Sequence, residues 1–341
     1  MLNDILKKLV EGNDLNQEEC GEVFARALEG SLEYAYLGAF LIALKIKGES
    51  IDEIYAGAKA LRENAIHPDF DGRDMIDTCG TGGDGFGTYN VSTASAFICA
   101  AAGAGVAKHG NRSISSKCGS FDVLEALGCN INLDSRQTAE SVRLTGMGFM
   151  YAPLFHKAMK NVAPVRKALG IRTIFNILGP LANPAGAGRQ LLGVFSRELM
   201  KPMAEVLGKF GIIKALVVHG SDGMDEITVK GSTYVLEINE GTMSEFEIEP
   251  AMFGFDTYDA SAVSGGTAAQ NAEIIKSILA GREKGAKLAL LAMNSGAALY
   301  AAGLTEDIAG GVQMSLDIIE SGLAYKKLEQ YIRISNTLGR N

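Results

Sequence analysis

Apolar side chains recur at i, i+3 and i+4 over 2–11, near 17–28, across 32–46 and across 51–65, with Gly12-Asn13-Asp14, Glu29-Gly30-Ser31 and Gly48-Glu49-Ser50 between them. One apolar stripe per segment predicts a small helical bundle. Ser50-Ile51-Asp52-Glu53 adds the S-x-x-E pattern, in which serine and glutamate satisfy each other's orphan amides at a helix start. From Met75 the rhythm changes to short apolar runs that end in turns and lead into helix-like stretches: Met75–Cys79, Gly105–Lys108, Phe149–Ala152, Leu191–Phe195 and Ala215–His219. This alternation predicts an α/β class with a mostly parallel central sheet covered by helices. Helices are expected at Ser92–Ala102 and Asp122–Leu127, an antiparallel pair at 233–238 and 244–249 around Asn239-Glu240-Gly241, and further helices from 268 onward.

A chain of 341 residues fits two units, a helical domain over 1–70 and an α/β domain over 71–341. The stretch 153–188 carries Pro153, Pro164, Pro180 and Pro184 around an amphipathic segment at 155–169, and is expected to cross back onto the N-terminal helices. That would make the small domain discontinuous. A formal charge of −8 with no block of like charge argues against a nucleic-acid surface, so an anionic substrate must be met by a local cluster or a metal. Five cysteines without a C-x-x-C pair read as reduced thiols in a cytoplasmic protein. The start at 2–11 is amphipathic rather than a continuous signal-peptide core, and the run Leu288–Leu304 is broken by Asn294, Ser295, Gly296 and Gly303. The latter is expected as a buried helix, not a membrane span.

Two glycine-rich turns follow the first two strand-like runs: Asp77-Thr78-Cys79-Gly80-Thr81-Gly82-Gly83-Asp84 and Lys108-His109-Gly110-Asn111-Arg112-Ser113-Ile114-Ser115-Ser116. Without Cβ atoms, backbone N–H groups can crowd around oxyanions, and the second turn adds cations and hydroxyls. The pair therefore points to a polyphosphate ligand. Gly80–Gly85 formally satisfies G-x-G-x-x-G, but Phe86–Asn90 delays the helix and the next strand ends in Lys108-His109 rather than an acid, against a dinucleotide site. A P-loop fails because Phe86 stands where its lysine would follow Gly85.

Asn90-Val91-Ser92-Thr93 lies at a helix start, where free N–H groups attract anions, although the same residue types are ordinary N-caps. Asp225 and Glu226 sit in a turn after the Ala215–His219 strand and suit Mg²⁺ shared with phosphates; exposed acids in a turn are the plain alternative. Arg166 and Arg172 can each clasp a carboxylate or merely neutralise a helix end, and sequence does not separate these uses. The four histidines show no zinc spacing, and His109 is the one placed to act.

Taken together, Cys79–Asp84, Asn90–Thr93, Lys108–Ser116 with Gly119-Ser120, Asp122–Gly128, Ala163–Arg166, Arg172–Asn183, Asp222–Glu226 and Asn294 resemble the anthranilate phosphoribosyltransferase family. The resemblance runs through nearly all of the chain and implies joining of phosphoribosyl pyrophosphate (PRPP) to anthranilate in tryptophan synthesis. It further implies a homodimer through the helical parts, a substrate cleft between the domains and two Mg²⁺ ions held by Ser92, Asp225 and Glu226. PRPP would be held by Gly80, Gly83, Asp84, Thr88, Asn90, Val91, Ser92, Thr93, Lys108, His109, Gly110, Asn111, Arg112, Ser113, Ile114, Ser115, Ser116 and Ser120. Anthranilate would meet Gly80, Asn111 and Arg166, with His109 a further candidate. Three departures from the family pattern stand out: Ser113 and Phe121 where alanine is common, and Lys157 where proline is frequent. Phe121 would either reshape the 5′-phosphate pocket or fill a neighbouring core. The competing readings are a pyrimidine nucleoside phosphorylase-like enzyme, which has no use for the Asp225-Glu226 pair, and a non-enzymatic nucleic-acid-binding relative, which should carry a basic face.

Overall fold

The computed structural model describes residues 2–113 and 117–340. Ile114, Ser115 and Ser116 of the second turn lie outside the described residues. At the N-terminus, helices α1 (Leu2–Val10), α2 (Gln17–Glu29), α3 (Tyr34–Lys47) and α4 (Ile51–Glu63) form the expected bundle. Ser50 and Glu53 make the anticipated capping box, and Glu53 does more than cap. Its fully buried carboxylate also accepts from the Leu15 amide at 3.0 Å and from Lys47 Nζ at 2.9 Å, tying α3, α4 and the α1–α2 turn together.

Seven strands follow: β1 (Met75–Gly80), β2 (Gly105–Gly110), β3 (Met147–Tyr151), β4 (Arg189–Gly193), β5 (Lys214–Gly220), β6 (Thr233–Asn239) and β7 (Thr242–Ile248). They order as β3-β2-β1-β4-β5-β6-β7, with the first five parallel and the last two antiparallel. The chain runs outward from β1 through β2 to β3 and then returns to β4 on the other side of β1. In such sheets a crevice opens at the carboxyl ends of the strands where the direction of winding reverses. Both glycine turns leave from that edge.

Helices cover the sheet: α5 (Val91–Ala101), α6 (Ser120–Ala126), α7 (Ser135–Thr145), α8 (Ala152–Phe155), α9 (Ala163–Leu169), α10 (Phe175–Leu178), α11 (Met200–Lys209), α12 (Ala268–Leu279), α13 (Ala286–Ala301), α14 (Ile308–Glu320) and α15 (Leu323–Leu338). Leu191 and Leu216 face the core beneath α5 and α12–α15, while their neighbours Leu192 and Val217 face the core shared with α11 and the N-terminal helices. The period of two along each strand thus builds two cores from one sheet. Helices α7 and α11 were not evident from the sequence pattern. The amphipathic segment at 155–169 is no single helix: α8, a 3₁₀ turn at Lys157–Asn161 and α9 divide it, with Pro164 at the start of α9 where its missing N–H costs nothing.

This segment packs on the N-terminal helices. Asn161 Nδ2 donates to the Leu28 carbonyl at 2.6 Å, Arg62 Nε donates to the Leu181 carbonyl at 2.6 Å, and Val162, Val165, Phe175 and Leu178 share a core with Phe24, Leu41 and Leu61. The Leu288–Leu304 run is mostly the buried helix α13, and among the described residues no helix is long and apolar enough to cross a membrane.

Candidate active site

Strand β1 ends at Gly80, beside Gly193 of β4, and the chain then turns through Thr81–Asp84. A Cβ on Gly80 would stand 2.6 Å from Asp225 Oδ2, so only glycine lets that carboxylate reach the turn. The same oxygen accepts the Gly82 amide at 2.6 Å, and Asp84 Oδ2 accepts the Asp225 amide at 3.4 Å. Glu226 Oε1 accepts the Thr88 hydroxyl at 3.3 Å, while Glu226 Oε2 is buried with no partner. Asn294 of α13 fixes this acidic turn, accepting the Ile227 amide and donating to the Ile227 carbonyl, both at 3.0 Å.

Asp225 and Glu226 therefore point inward, unlike the exposed acids of the plain alternative. Burial, reinforced by the Asp84 charge, holds the Asp225 carboxyl well above the usual range. Burial, then Asp225 and Asp84, does the same to Glu226. Crowded carboxylates, one of them with an orphaned buried oxygen, suit a hard, oxygen-ligated divalent cation. Among the described residues no group of three acidic, histidine or cysteine side chains is placed to hold an ion, so an ion here would draw most of its shell from substrate or water.

Helix α5 opens beside this turn, with Asn90 at its N-cap in the left-handed region at φ 66°. Val91 is buried and offers only its backbone; the Thr93 hydroxyl is buried and unpartnered. Lys108 on β2 is buried, not splayed towards solvent. Its ammonium donates to the Thr78 carbonyl and to Ser92 Oγ, the latter at 3.2 Å, so it stands behind Ser92. Burial lowers its proton affinity, and the buried Asp77 carboxylate beside it works against that loss.

The second turn is organised by Asp122, whose Oδ2 accepts the amides of Ser113 and Gly119, each at 2.8 Å. Asn111 offers its carbonyl to Phe121 N at 3.2 Å and to Ser120 Oγ at 3.3 Å. Arg112 is engaged by Asp122 and Glu125 at 3.3 and 2.9 Å. Phe121 is fully buried and stacks on Tyr151 with centroids 5.0 Å apart, so the family departure fills a core. It also supports Gly110: a Cβ there would lie 3.3 Å from the Phe121 ring and would overlap Ser120 Oγ.

The two arginines left open by the sequence separate cleanly. Arg172 is spent on the first turn, donating to the Gly83 carbonyl and lying over Phe195 at 4.8 Å, in the space a Gly83 side chain would need. Arg166, on α9, is partly buried 5.3 Å from the Phe175 ring, and no described carboxylate pairs with it. A cation of this kind is a ready site for an anion. His109 packs against His156 with ring centroids 4.9 Å apart, and the Nε2 atoms of both are buried without partners. Burial pushes His109 down to about 3 and His156 to about 4, so both imidazoles are neutral at pH 7. The sequence pattern did not single out His156, because its partner lies on β2, 47 residues earlier in the chain, and no local spacing marks the pair. Nor did it single out Gly193, whose missing side chain admits the Asp225 backbone.

The chain matches two domains of the glycosyl transferase family, the helical bundle domain over residues 3–65 and the a/b domain over 72–325. It is 47% identical over 339 residues to the anthranilate phosphoribosyltransferase of Desulfosudis oleivorans, covering 99% of this chain and 100% of that one. The enzyme of the same name from Acetivibrio thermocellus is 49% identical, with 99% and 97% covered. Among solved structures, the Thermus thermophilus enzyme superposes with a TM-score of 0.92 at 41% identity over 98% of this chain and 99% of that one. The Saccharomyces cerevisiae enzyme in complex with PRPP and Mg gives 0.89 at 28% identity, covering 98% of both chains. A family match over both units, extended by relatives of the same length, fits the acidic turn and the two glycine bends described above, and the chain belongs to the anthranilate phosphoribosyltransferase family.

Proposed function

We propose that this chain transfers the phosphoribosyl group of PRPP to the amine of anthranilate, giving N-(5-phosphoribosyl)anthranilate and pyrophosphate. The observation that carries the reading is Asp225 Oδ2 on the Gly82 amide, which brings the acidic turn onto the glycine bend. Amides of the bends at Gly80, Gly83 and Asp84 and at Lys108–Ser116, with Thr88, the Asn90–Thr93 helix start and Ser120, are the proposed PRPP contacts. Arg166 is the proposed partner of the anthranilate carboxylate, with Gly80, Asn111 and His109 lining its ring.

Asp225, Glu226 and Ser92 are the proposed holders of Mg²⁺, two ions per site. When bound, Mg²⁺ supplies positive charge to the pyrophosphate. The chain's own residues then position and desolvate. The C1–O bond breaks with its electron pair on the departing pyrophosphate, C1 acquires oxocarbenium character, and the anthranilate nitrogen forms the new bond on the opposite face. The surplus nitrogen proton passes to water. An aromatic amine has its lone pair free at pH 7, so no strong base is needed, in keeping with the neutral His109 and His156.

The division into 1–70 with part of 153–188, against the remainder, is the proposed domain plan, supported by the bonds from Asn161 and Arg62. An open apolar groove between α3 and α9, lined by Tyr34, Gly38, Pro164 and Leu169, supports pairing of two copies through the helical parts. A cytoplasmic setting is proposed from the five free thiols. Mixing the protein with PRPP, Mg²⁺ and anthranilate tests the activity: anthranilate fluorescence should fall with time and stay constant when PRPP is omitted. Constant fluorescence with all three present would reject the reading.

A further inference from the structure

Asn90 is one of three described non-glycine residues with positive φ, and the only one of them beside the candidate site. Left-handed backbone is unfavourable for a residue with a Cβ and persists where neighbours impose it. Both ends of the Asn90 amide are occupied by protein: Nδ2 donates to the Cys118 carbonyl at 3.1 Å, and Oδ1 accepts Asn271 Nδ2 at 2.9 Å. Asn271 is buried on α12, 181 residues further along, and its own Oδ1 accepts the Gly266 amide at 2.6 Å. A buried asparagine that served only its helix would bond backbone within it; this one reaches outward with donor and acceptor alike.

The segment around it is strapped to the same loop. Gly265 N donates to the Gly87 carbonyl at 2.8 Å, and Ser264 forms an antiparallel bridge with Thr88. A Cβ on Gly265 would lie 2.6 Å from Asn271 Oδ1 and 2.8 Å from the Thr88 carbonyl, so the strap lies directly on the loop. Thr88 in turn donates to Glu226, and Ser92 follows Asn90 by two residues.

We propose that Asn271 is a positioning residue for phosphoribosyl binding: bridging Gly266 and Asn90, it holds Asn90 left-handed and so sets the start of α5, with Ser92, against the first glycine turn. This rests on reading that turn as the PRPP site. Asn271 acts through Asn90 and touches no substrate itself.

The test compares Asn271→Ala, Asn271→Asp and Asn271→Ala with Asn90→Gly in the full chain. Aspartate keeps the acceptor for Gly266 but faces Asn90 Oδ1 with a second acceptor, so it isolates the Asn90 contact. Both single variants should raise the PRPP KM by about tenfold and leave the anthranilate KM within about twofold. Glycine adopts the left-handed conformation without penalty, so a crystal structure of the double variant should show residue 90 back at positive φ even without Asn271. Equal rises in both KM values would overturn the proposal. A crystal structure of Asn271→Asp gives a readout independent of activity: residue 90 should leave positive φ, and its persistence there would overturn the proposal even if the wild-type chain turned over neither substrate. Wild-type inactivity alone would instead reject the proposed function.

Discussion

Asp225 faces Asp84 across the first glycine turn, its amide donating to Asp84 Oδ2 at 3.4 Å while its own carboxylate accepts from Gly82 at 2.6 Å. Two acids from opposite halves of the chain are thus held together before any cation arrives. The arrangement is electrostatically costly, and that cost makes it selective for a ligand that brings positive charge.

Replacing Asp225 by asparagine and Glu226 by glutamine should therefore separate stability from activity. The amide side chain introduced at position 225 could accept from Gly82 and donate to Asp84, relieving the crowding. Metal-free melting should rise by roughly 1–3 °C, whereas kcat with PRPP and Mg²⁺ should fall by about a hundredfold or more. Calorimetry in a chelator and steady-state rates check the two halves. Unchanged rates at limiting Mg²⁺ would remove the acids from metal binding.

Arg166→Ala should raise the anthranilate KM by roughly 10–100-fold, the equivalent of a charge-assisted bond worth about 1.5–3 kcal/mol. The PRPP KM should barely move. An equal effect on both substrates would reassign Arg166 to packing against Phe175.

A graded response is expected from alanine in the glycine turns. Gly83→Ala places a Cβ in the space of the Arg172 guanidinium and strains a φ of 81°, whereas Gly82→Ala has open space and only the φ penalty at 69°. The PRPP KM should rise for both and several times more for Gly83→Ala. Titration of each variant with PRPP orders them, and a reversed order would detach Arg172 from the site.

The paired histidines set a pH dependence. Burial depresses both, from an ordinary 6.5 to about 3 for His109 and about 4 for His156. Their stabilising contribution is complete above pH 6.5, where folded and unfolded chains both carry neutral imidazoles. It is lost as pH falls towards those depressed values, because the unfolded chain takes up protons first. Urea unfolding of the wild type should lose more stability between about pH 7 and about pH 4.5 than a His109→Gln, His156→Gln variant does. Parallel losses would contradict the buried neutral pair.

Far from the site, Glu53→Gln should unfasten the helical end. Glu53 and Lys47 side chains are both almost fully buried, but Lys47 keeps its ion pair to Asp14 at 2.6 Å, so losing the Glu53 charge and its charge-assisted bonds should cost about 1.5–3 kcal/mol. Denaturant unfolding should register that loss, while rates per folded molecule stay near wild type.

Much of the fold was legible because its signals are local. The S-x-x-E box at Ser50 and the strand runs at Met75, Gly105 and Ala215 depend on neighbours within a few residues, and each reappears within two residues of its expected limits. The segment at 155–169 packs on the N-terminal helices as its amphipathic spacing implies, but that spacing does not show its division into α8, a 3₁₀ turn and α9. Helix α7 escaped notice because its polar composition leaves little apolar stripe to read.

The sequence by itself determined where the chain bends to receive oxyanions and which acids and cations are available, since glycine conformational freedom and side-chain chemistry belong to single residues. Tertiary structure decided which of them meet. Sheet order brings the ends of β1, β4 and β5 to one edge, so that Asp225 reaches Gly82, Arg172 closes on Gly83 and Asn271 grips Asn90. Those contacts span 143, 89 and 181 residues, and no local propensity encodes separations of that length. They exist because burying both faces of one twisted sheet leaves its carboxyl edge as the shared meeting point.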